Sequence, residues 1–399
     1  MLSGSSPPFS IRLRLRRIGD DIVMTWSSRH LAPVESTPLS PPPLRTDGPT
    51  EGSQWKRSGA ILTFRRWFTI VGGLALATLL VGIFCLQFGA IRTELSTVVS
   101  ALRELLEPAQ LGTSATIMVH IRFPRLLMGF LVGGCLASVG VVLQALLRNP
   151  LADPYVLGVS SGAALGVSLA MLFGIGTTLA ILPALPLFGL AGGSLSLVLM
   201  YRLAQSQGRL PVHSLLLAGV ILNALLTAFI MFITSIMEPN RSAGLMAWLM
   251  GSLTAPGYAG LAIFAAYALS GMVLLMQKAH TLNILTLGEE AARSLGVDME
   301  SVKKQLFAIT ALLTGAVVSV SGMIGFVGMV IPHAVRLVIG SDHRILLPAS
   351  ALVGGMFLVI SDTIARTFLA PIEIPVGIVT ALIGGPFFLY LLLWRKDRM

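Results

Sequence analysis

The chain has 399 residues, of which 54% are hydrophobic and 12% charged. Soluble domains carry about a quarter charged residues, so this composition excludes a water-soluble globular protein and points to a polytopic membrane protein. Much of the net charge of +10 lies in the amino-terminal stretch and in polar loops, a positive-inside distribution and not a nucleic-acid-binding surface.

Residues 1–58 differ from everything that follows. They are rich in Pro, Ser and Arg, with RLRLRR at 12–17 and SPPPLRTDGP at 40–49, and contain no continuous apolar stretch. Such a composition cannot bury a core, so a disordered extension is expected over 1–58, followed by a transmembrane permease domain over 59–399. The extension lacks the apolar stretch of a secretory signal. Its arginines favour a solvated tail, with contact to anionic membrane lipid as the alternative. Met24 is an alternative start.

From Arg65 onward ten apolar segments are long enough to span or nearly span a bilayer: 67–88, 123–147, 155–174, 180–203, 212–236, 258–278, 304–322, 326–340, 346–368 and 376–394. Lys56, Arg57, Arg65 and Arg66 put the amino end inside, and Arg395, Lys396 and Arg398 put the carboxyl end inside. Both placements hold only for an even number of spans. The inside loops are then 148–154, 204–211, 279–303 and 341–345, and the outside loops 89–122, 237–257 and 369–375. Within the first outside loop, residues 93–108 carry Leu95, Val98, Val99, Leu102, Leu105 and Leu106 at helical spacing and read as a surface helix.

The eighth segment is short and broken, with Gly322, Gly325, Gly328 and Pro332, and Pro332 frees a backbone carbonyl of the preceding turn. Irregular backbone survives in a bilayer only against protein or water, so this segment should line or shape a path. Gly133 and Gly140 echo Gly315 and Gly322 and leave an inverted repeat open. Cys85 and Cys135 fall inside apolar segments and read as packing residues.

Several strings then narrow the reading. IRFPR (121–125), LQALLRNPLADPYVLGVSSGAALG (143–166), LLLAGVILN (215–223), WLMGSL (248–253) and LGEEAARSLGV (287–297) stand in order. GFVGMVIPHAVRLVIGSDHRILLPASAL (325–352), SDTIAR (361–366) and EIPVGIVTALIGGPFF (373–388) follow them. In this order they resemble the permease subunits of the iron-complex, haem and cobalamin ABC importers, the type II importers of the FecCD-like family. The resemblance covers the chain from about residue 67 to its end, and nothing in it accounts for residues 1–58.

That resemblance implies an all-α polytopic membrane protein of about ten helices in the bacterial cytoplasmic (inner) membrane, paired with a second permease copy or paralogue. Separate ABC ATPase subunits would dock inside and a periplasmic substrate-binding protein outside. The chain has no G-x-x-x-x-G-K-[ST] loop, so no ATPase activity of its own is expected, and ATP and Mg would be used by the partner. No cofactor, metal or nucleic acid is expected on this chain. A ferric siderophore is the expected cargo, with cobalamin or haem as alternatives.

Arg122, Arg125 and Arg366 lie at outer ends of spans, against the positive-inside trend. By position they match basic residues that in this family meet carboxylates on the docked binding protein, and arginine suits that role. Snorkelling to lipid phosphates, or pairing of Arg366 with Asp362 one turn away, is the alternative. In the inside loop 279–303, Gly288 and Gly296 bracket a short helix with Glu289, Glu290, Ala291, Ala292, Arg293 and Leu295. In the family this is the element that couples to the ATPase; by itself it reads equally as a solvated amphipathic loop.

RNPLADP (148–154) reads as a structural corner in which Arg148 and Asp153 could pair. Val212 and His213 stand where the family has its cytoplasmic gate, although small hydroxyl residues are usual there.

Two readings from other classes compete. An ion-coupled secondary transporter needs acids at membrane depth, and the central stretches of the spans have none. An intramembrane enzyme needs a nucleophile with a base, and Ser160 and Ser161 have no His or Asp partner in their span.

Overall fold

The computed structural model describes residues 13–18, 21–26, 64–89, 113–175, 178–179, 182–205, 210–254 and 257–396. Two compact units divide the chain, Met1–Ile61 and Leu62–Met399. In the first, β1 (Leu13–Ile18) and β2 (Asp21–Trp26) pair antiparallel, with Leu13 opposite Trp26 and Ile18 opposite Asp21. A hairpin thus stands where irregular chain is expected; Gly-Asp between two segments rich in β-branched and apolar residues is a hairpin signal. The remainder of the expected disordered extension lies outside the described residues, as does the expected surface helix at 93–108.

The second unit is a helix bundle. Its helices are α1 (Phe64–Leu86), α2 (Thr113–Ile117), α3 (Phe123–Leu146), α4 (Val159–Leu172), α5 (Ala184–Ala204), α6 (Val212–Ile236) and α7 (Pro239–Leu249). They continue with α8 (Gly257–Gln277), α9 (Ala279–Thr286), α10 (Glu289–Ser294), α11 (Met299–Ser321), α12 (Val327–Ile339), α13 (His343–Thr367) and α14 (Val376–Lys396). A π-helical turn, Met118–Arg122, joins α2 to α3, and a 3-10 turn, Pro154–Leu157, precedes α4. The short strands β3 (Thr178–Leu179) and β4 (Leu182–Pro183) form a tight hairpin before α5.

Among the described residues, seven helices are long and apolar enough to cross a membrane, and three shorter apolar ones lie at Val159–Leu172, Val327–Ile339 and Val376–Tyr390. Each of the ten expected segments coincides with one of these. Boundaries differ most at the second, where helix extends ahead of Phe123 through α2 and the π turn.

Apolar residues surround most of these helices, as lipid on one side and protein on the other require. On α6, Leu215, Gly219, Leu222, Leu226, Ile230 and Ile233 are buried at a spacing of three and four, while Leu217, Ile221, Leu225, Phe229 and Phe232 are exposed. The most enclosed helix is α3, flanked by α13 on one side and α12 on another.

Small residues permit that enclosure. A Cβ on Gly140 of α3 would sit 1.8 Å from the Gly328 carbonyl oxygen of α12, so only glycine fits. One turn further, Gln144 donates from Nε2 to Met329 O at 3.0 Å and accepts from Arg336 Nη1 at 2.9 Å.

The eighth segment is interrupted ahead of its proline. Pro332 stands inside a continuous α12, and the non-helical stretch is Gly322–Phe326 ahead of it. A proline needs only its i−4 carbonyl spared. That carbonyl is Gly328 O, the group beside Gly140. Phe326 adopts φ 69°, a left-handed conformation that costs a non-glycine residue about 1 kcal/mol or more. Gly133 and Gly140 admit neighbouring backbone in mid-helix, and Gly322, which ends α11 at φ 66°, admits the Trp248 carbonyl in the same way.

Candidate functional site

The bundle has two ends rich in polar contacts. The end where α1 and α13 begin is called basal below, and the opposite end apical.

Arg122, Arg125 and Arg366 come together at the apical end. Arg125 donates from Nε and Nη2 to Asp362 Oδ1 at 3.1 and 2.9 Å, and from Nη1 to Glu373 Oε2 at 2.9 Å. Arg366 lies 3.0 Å from Asp362 Oδ2, the one-turn pairing weighed from sequence, and reaches Phe88 O at 3.2 Å. Asp362 therefore holds two guanidinium groups. It is buried, whereas the Glu373 side chain is 56% exposed. Arg122 is 7% exposed and donates from Nη1 to Leu86 O at 2.9 Å. Arg125 and its exposed partner Glu373 thus present the accessible part of the cluster, while Arg122 braces α1 from inside.

At the basal end, α10 is held between two glycines that adopt positive φ, Gly288 at 118° and Gly296 at 78°. Open space surrounds both, so conformation and not crowding calls for glycine. Gly296 N donates to Arg293 O at 2.9 Å and Val297 N to Ala292 O at 3.1 Å, a Schellman closure that satisfies the last carbonyls. Ala292 is buried and Ala291 half-buried, anchoring one side of the helix. Glu290 and Arg293 are exposed, and so are Leu287 (69%) and Leu295 (62%). The exposed face of α10 thus has a leucine at each end and charged side chains between them.

Val212 opens α6 and is half-buried beside Leu146, Leu147, Lys303 and Phe307. His213, its neighbour, is exposed. Leu210 N donates to Glu300 Oε2 at 3.0 Å, and Lys303 Nζ stands 3.6 Å from Glu300 Oε1. The approach to α6 is therefore tied to the foot of α11, three residues after Gly296.

The RNPLADP corner differs from expectation. Arg148 turns its Nη2 to Leu285 O at 3.4 Å, and Asp153 caps the 3-10 turn by accepting from Tyr155 N at 2.8 Å. The two do not pair, because the backbone amide competes locally for the carboxylate. Burial pushes the Asp153 carboxyl up to about 6, against the lowering effect of the Tyr155 amide. At the same end the Arg344 guanidinium holds the Asp342 carboxyl well below the usual carboxylate range. Ser161 contacts Asn223 of α6.

Four residues of these sites carry no local sequence signal strong enough to single them out: Asn283, Glu300, Asp342 and Glu373. Glu373 meets Arg125 from 248 residues away, and Asn283 of α9 donates from Nδ2 to Asp342 Oδ1, 59 residues away. Asp342 offers the best clue, an acid directly before a helix, which is an N-cap pattern.

The FecCD transport family matches residues 77–394. The cobalamin import system permease protein BtuC of Halobacterium salinarum is 43% identical over 297 residues, 73% of this chain and 78% of that protein. The hemin transport system permease protein HmuU of Yersinia pestis is 42% identical over 284 residues, 71% of this chain and 84% of that one. Among Bacillus subtilis proteins, the Fe(3+)-citrate import system permease protein YfmD is 38% identical over 286 residues, 71% of this chain and 82% of its own length. A solved structure described as an inward-facing conformation of a metal-chelate type ABC transporter superposes with a TM-score of 0.72 at 31% identity, over 82% of this chain and 99% of that one. The match runs from within α1 almost to the end of α14 and includes both polar ends: the chain belongs to the FecCD transport family.

Proposed function

We propose that the chain is the membrane permease of an ATP-driven importer that takes up an iron complex, a ferric siderophore, through the bacterial inner membrane. The observation that carries this reading is the likeness, over 82% of this chain, to a transporter described as metal-chelate type. Relatives named for cobalamin and hemin keep those two as alternative cargoes.

Two copies, or this chain and a paralogue, enclose the path, with both termini cytoplasmic. The basal end then faces the cytoplasm. There α10, with Gly288, Glu289, Glu290, Ala291, Ala292, Arg293, Leu295 and Gly296, seats in the ATPase subunit. The exposed leucines support this contact. ATP and Mg act in that partner, and this chain holds no cofactor. Val212 and His213 stand at the cytoplasmic mouth, where Glu300 links them to the helix that follows α10.

The apical end receives the binding protein. A carboxylate on that partner competes with Glu373 for Arg125, exchanging one exposed ion pair for another. Arg366 and Arg122 contribute by holding Asp362 and α1 in place behind it.

The test is uptake into proteoliposomes holding this chain, its ATPase and its binding protein. Labelled ferric siderophore, haem and cobalamin are offered in parallel, with and without internal ATP. ATP-dependent accumulation of one ligand supports the reading and names the cargo. Uptake that ignores ATP and follows an imposed proton gradient would replace it with an ion-coupled carrier.

A further inference from the structure

We infer that Asn283 is a positioning residue that carries movement of the ATPase-facing loop into α13, and through α13 to the charged cluster at the apical end; this deepens the proposed function and rests on α10 as the ATPase contact.

Asn283 sits on α9, directly ahead of α10. The junction is a continuous hydrogen-bonded turn: Leu287 N donates to Ile284 O at 3.0 Å, Gly288 N to Leu285 O at 3.3 Å and Ala292 N to Gly288 O at 3.0 Å. A push on α10 therefore displaces α9 with it. The Asn283 amide uses both of its ends on one target, the start of α13. Its Nδ2 donates to Asp342 Oδ1 at 2.8 Å, and its Oδ1 accepts from the His343 backbone N at 2.8 Å. The same oxygen lies 2.7 Å from His343 Nδ1. Asp342 Oδ1 meanwhile caps α13 by accepting from Arg344 N at 3.0 Å, and its carboxylate is held by the Arg344 side chain at 2.7 Å.

This side chain thus joins α9 to a helix cap, the part of a helix whose backbone groups most need partners. Packing between α9 and α13 accompanies it.

From that cap α13 runs 25 residues, about 37 Å at the rise of an α-helix, and carries Asp362 and Arg366 near its far end. Pro348 lies near its foot and has no N–H, which spares the Arg344 carbonyl. Trp67 Nε1 of α1 donates to that carbonyl at 3.1 Å. The foot of α13 accordingly gathers α1 and α9 at one point. A rigid helix held at such a point transmits displacement to its far end. Contiguity alone does not prove coupling, so the readout has to be an ATP-driven change at the apical end.

The experiment uses the full complex with its ATPase in proteoliposomes. Phe368→Cys, at the apical end of α13, places a thiol at a residue 74% exposed, while Cys85 and Cys135 are buried. Its labelling rate with a membrane-impermeant maleimide is compared with and without ATP, so no cargo is needed. We expect ATP to change the rate in this background. Asn283→Asp sets two carboxylates against each other and should shrink that change about tenfold, the factor set by one hydrogen bond to a charged group. The exchange Asn283→Asp with Asp342→Asn restores donor and acceptor and should restore the response. Asn283→Ser removes the amide without adding charge and should lose the response as well.

A merely structural role predicts that each single change lowers the unfolding midpoint while the ATP response of the folded complex is kept. The inference is overturned by an ATP response that survives both single changes, by an exchange that does not rescue, or by Phe368→Cys labelling that ignores ATP. It is also overturned if Asn283→Asp releases the ATPase. Failure of the underlying reading looks different: disruption of Gly288–Gly296 would leave the ATPase bound, whatever the labelling shows.

Discussion

Removing Asp362 is the sharpest perturbation of the apical cluster. Its carboxylate is buried and contacts Arg125 at 2.9 Å and Arg366 at 3.0 Å. Asp362→Ala leaves two guanidinium groups close together, with only the exposed Glu373 remaining against Arg125. Breaking a buried pair by deleting one partner costs about 3–5 kcal/mol, because an uncompensated charge stays buried. Here Arg366 loses its carboxylate while Arg125 keeps Glu373, which places the expected loss within that range. Glu373→Ala deletes a solvated partner and should cost under about 1 kcal/mol. The assay is equilibrium unfolding of the purified chain in detergent, comparing wild type, Asp362→Ala, Asp362→Asn and Glu373→Ala. Binding-protein affinity is measured on the variants that remain folded. Glu373→Ala frees Arg125 and should alter that affinity with stability nearly unchanged. If Asp362→Ala unfolded like Glu373→Ala, the cluster would not be the buried network described, and the arginines would be available individually.

Gly140→Ala should lose about 3 kcal/mol or more. Its Cβ would fall 1.8 Å from Gly328 O, and separating α3 from α12 breaks the Gln144–Met329 hydrogen bond. Gly244→Ala, which meets open space on α7, is the control, and an equal unfolding midpoint for the two would refute the close approach. Asp153 carries a pH signature: its folded value, about 6, lies above the usual 3.8, so stability is greatest below pH 4 and declines as pH rises through 6. The span corresponds to about 3 kcal/mol. Asp153→Asn keeps the cap on Tyr155 and should flatten the unfolding midpoint between pH 4 and pH 7. Gly296→Val forces a β-branched residue to φ 78° and should weaken ATPase co-purification while leaving binding-protein docking intact. Full co-purification would rule out α10 as the contact.

Much of this architecture was legible in the order of residues. Apolar length fixes where helices can cross a bilayer, because every backbone polar group in lipid must be satisfied within its own segment; hence all ten expected segments coincide with helices. Gly288 and Gly296 marked the bounds of α10 for a similarly local reason, a backbone conformation that only glycine adopts readily. The pairing of Arg366 with Asp362 also follows from helical spacing.

Tertiary structure alone decided what joins distant segments. The sequence places Arg122, Arg125 and Arg366 at one end but does not reveal that Arg122 turns inward to Leu86 while Arg125 bridges Asp362 and Glu373. It shows Pro332 but not that α12 runs unbroken past it, with the irregular backbone at Gly322–Phe326 and the Gly328 carbonyl seated against Gly140. It offers Arg148 and Asp153 as a pair, yet each finds a backbone partner instead. Asn283 is unremarkable until folding sets it against Asp342. Periodicity and turn chemistry are local properties of a chain. Helix against helix in lipid is chosen by shape and by the few polar groups that must find each other, and those choices exist only once the bundle has closed.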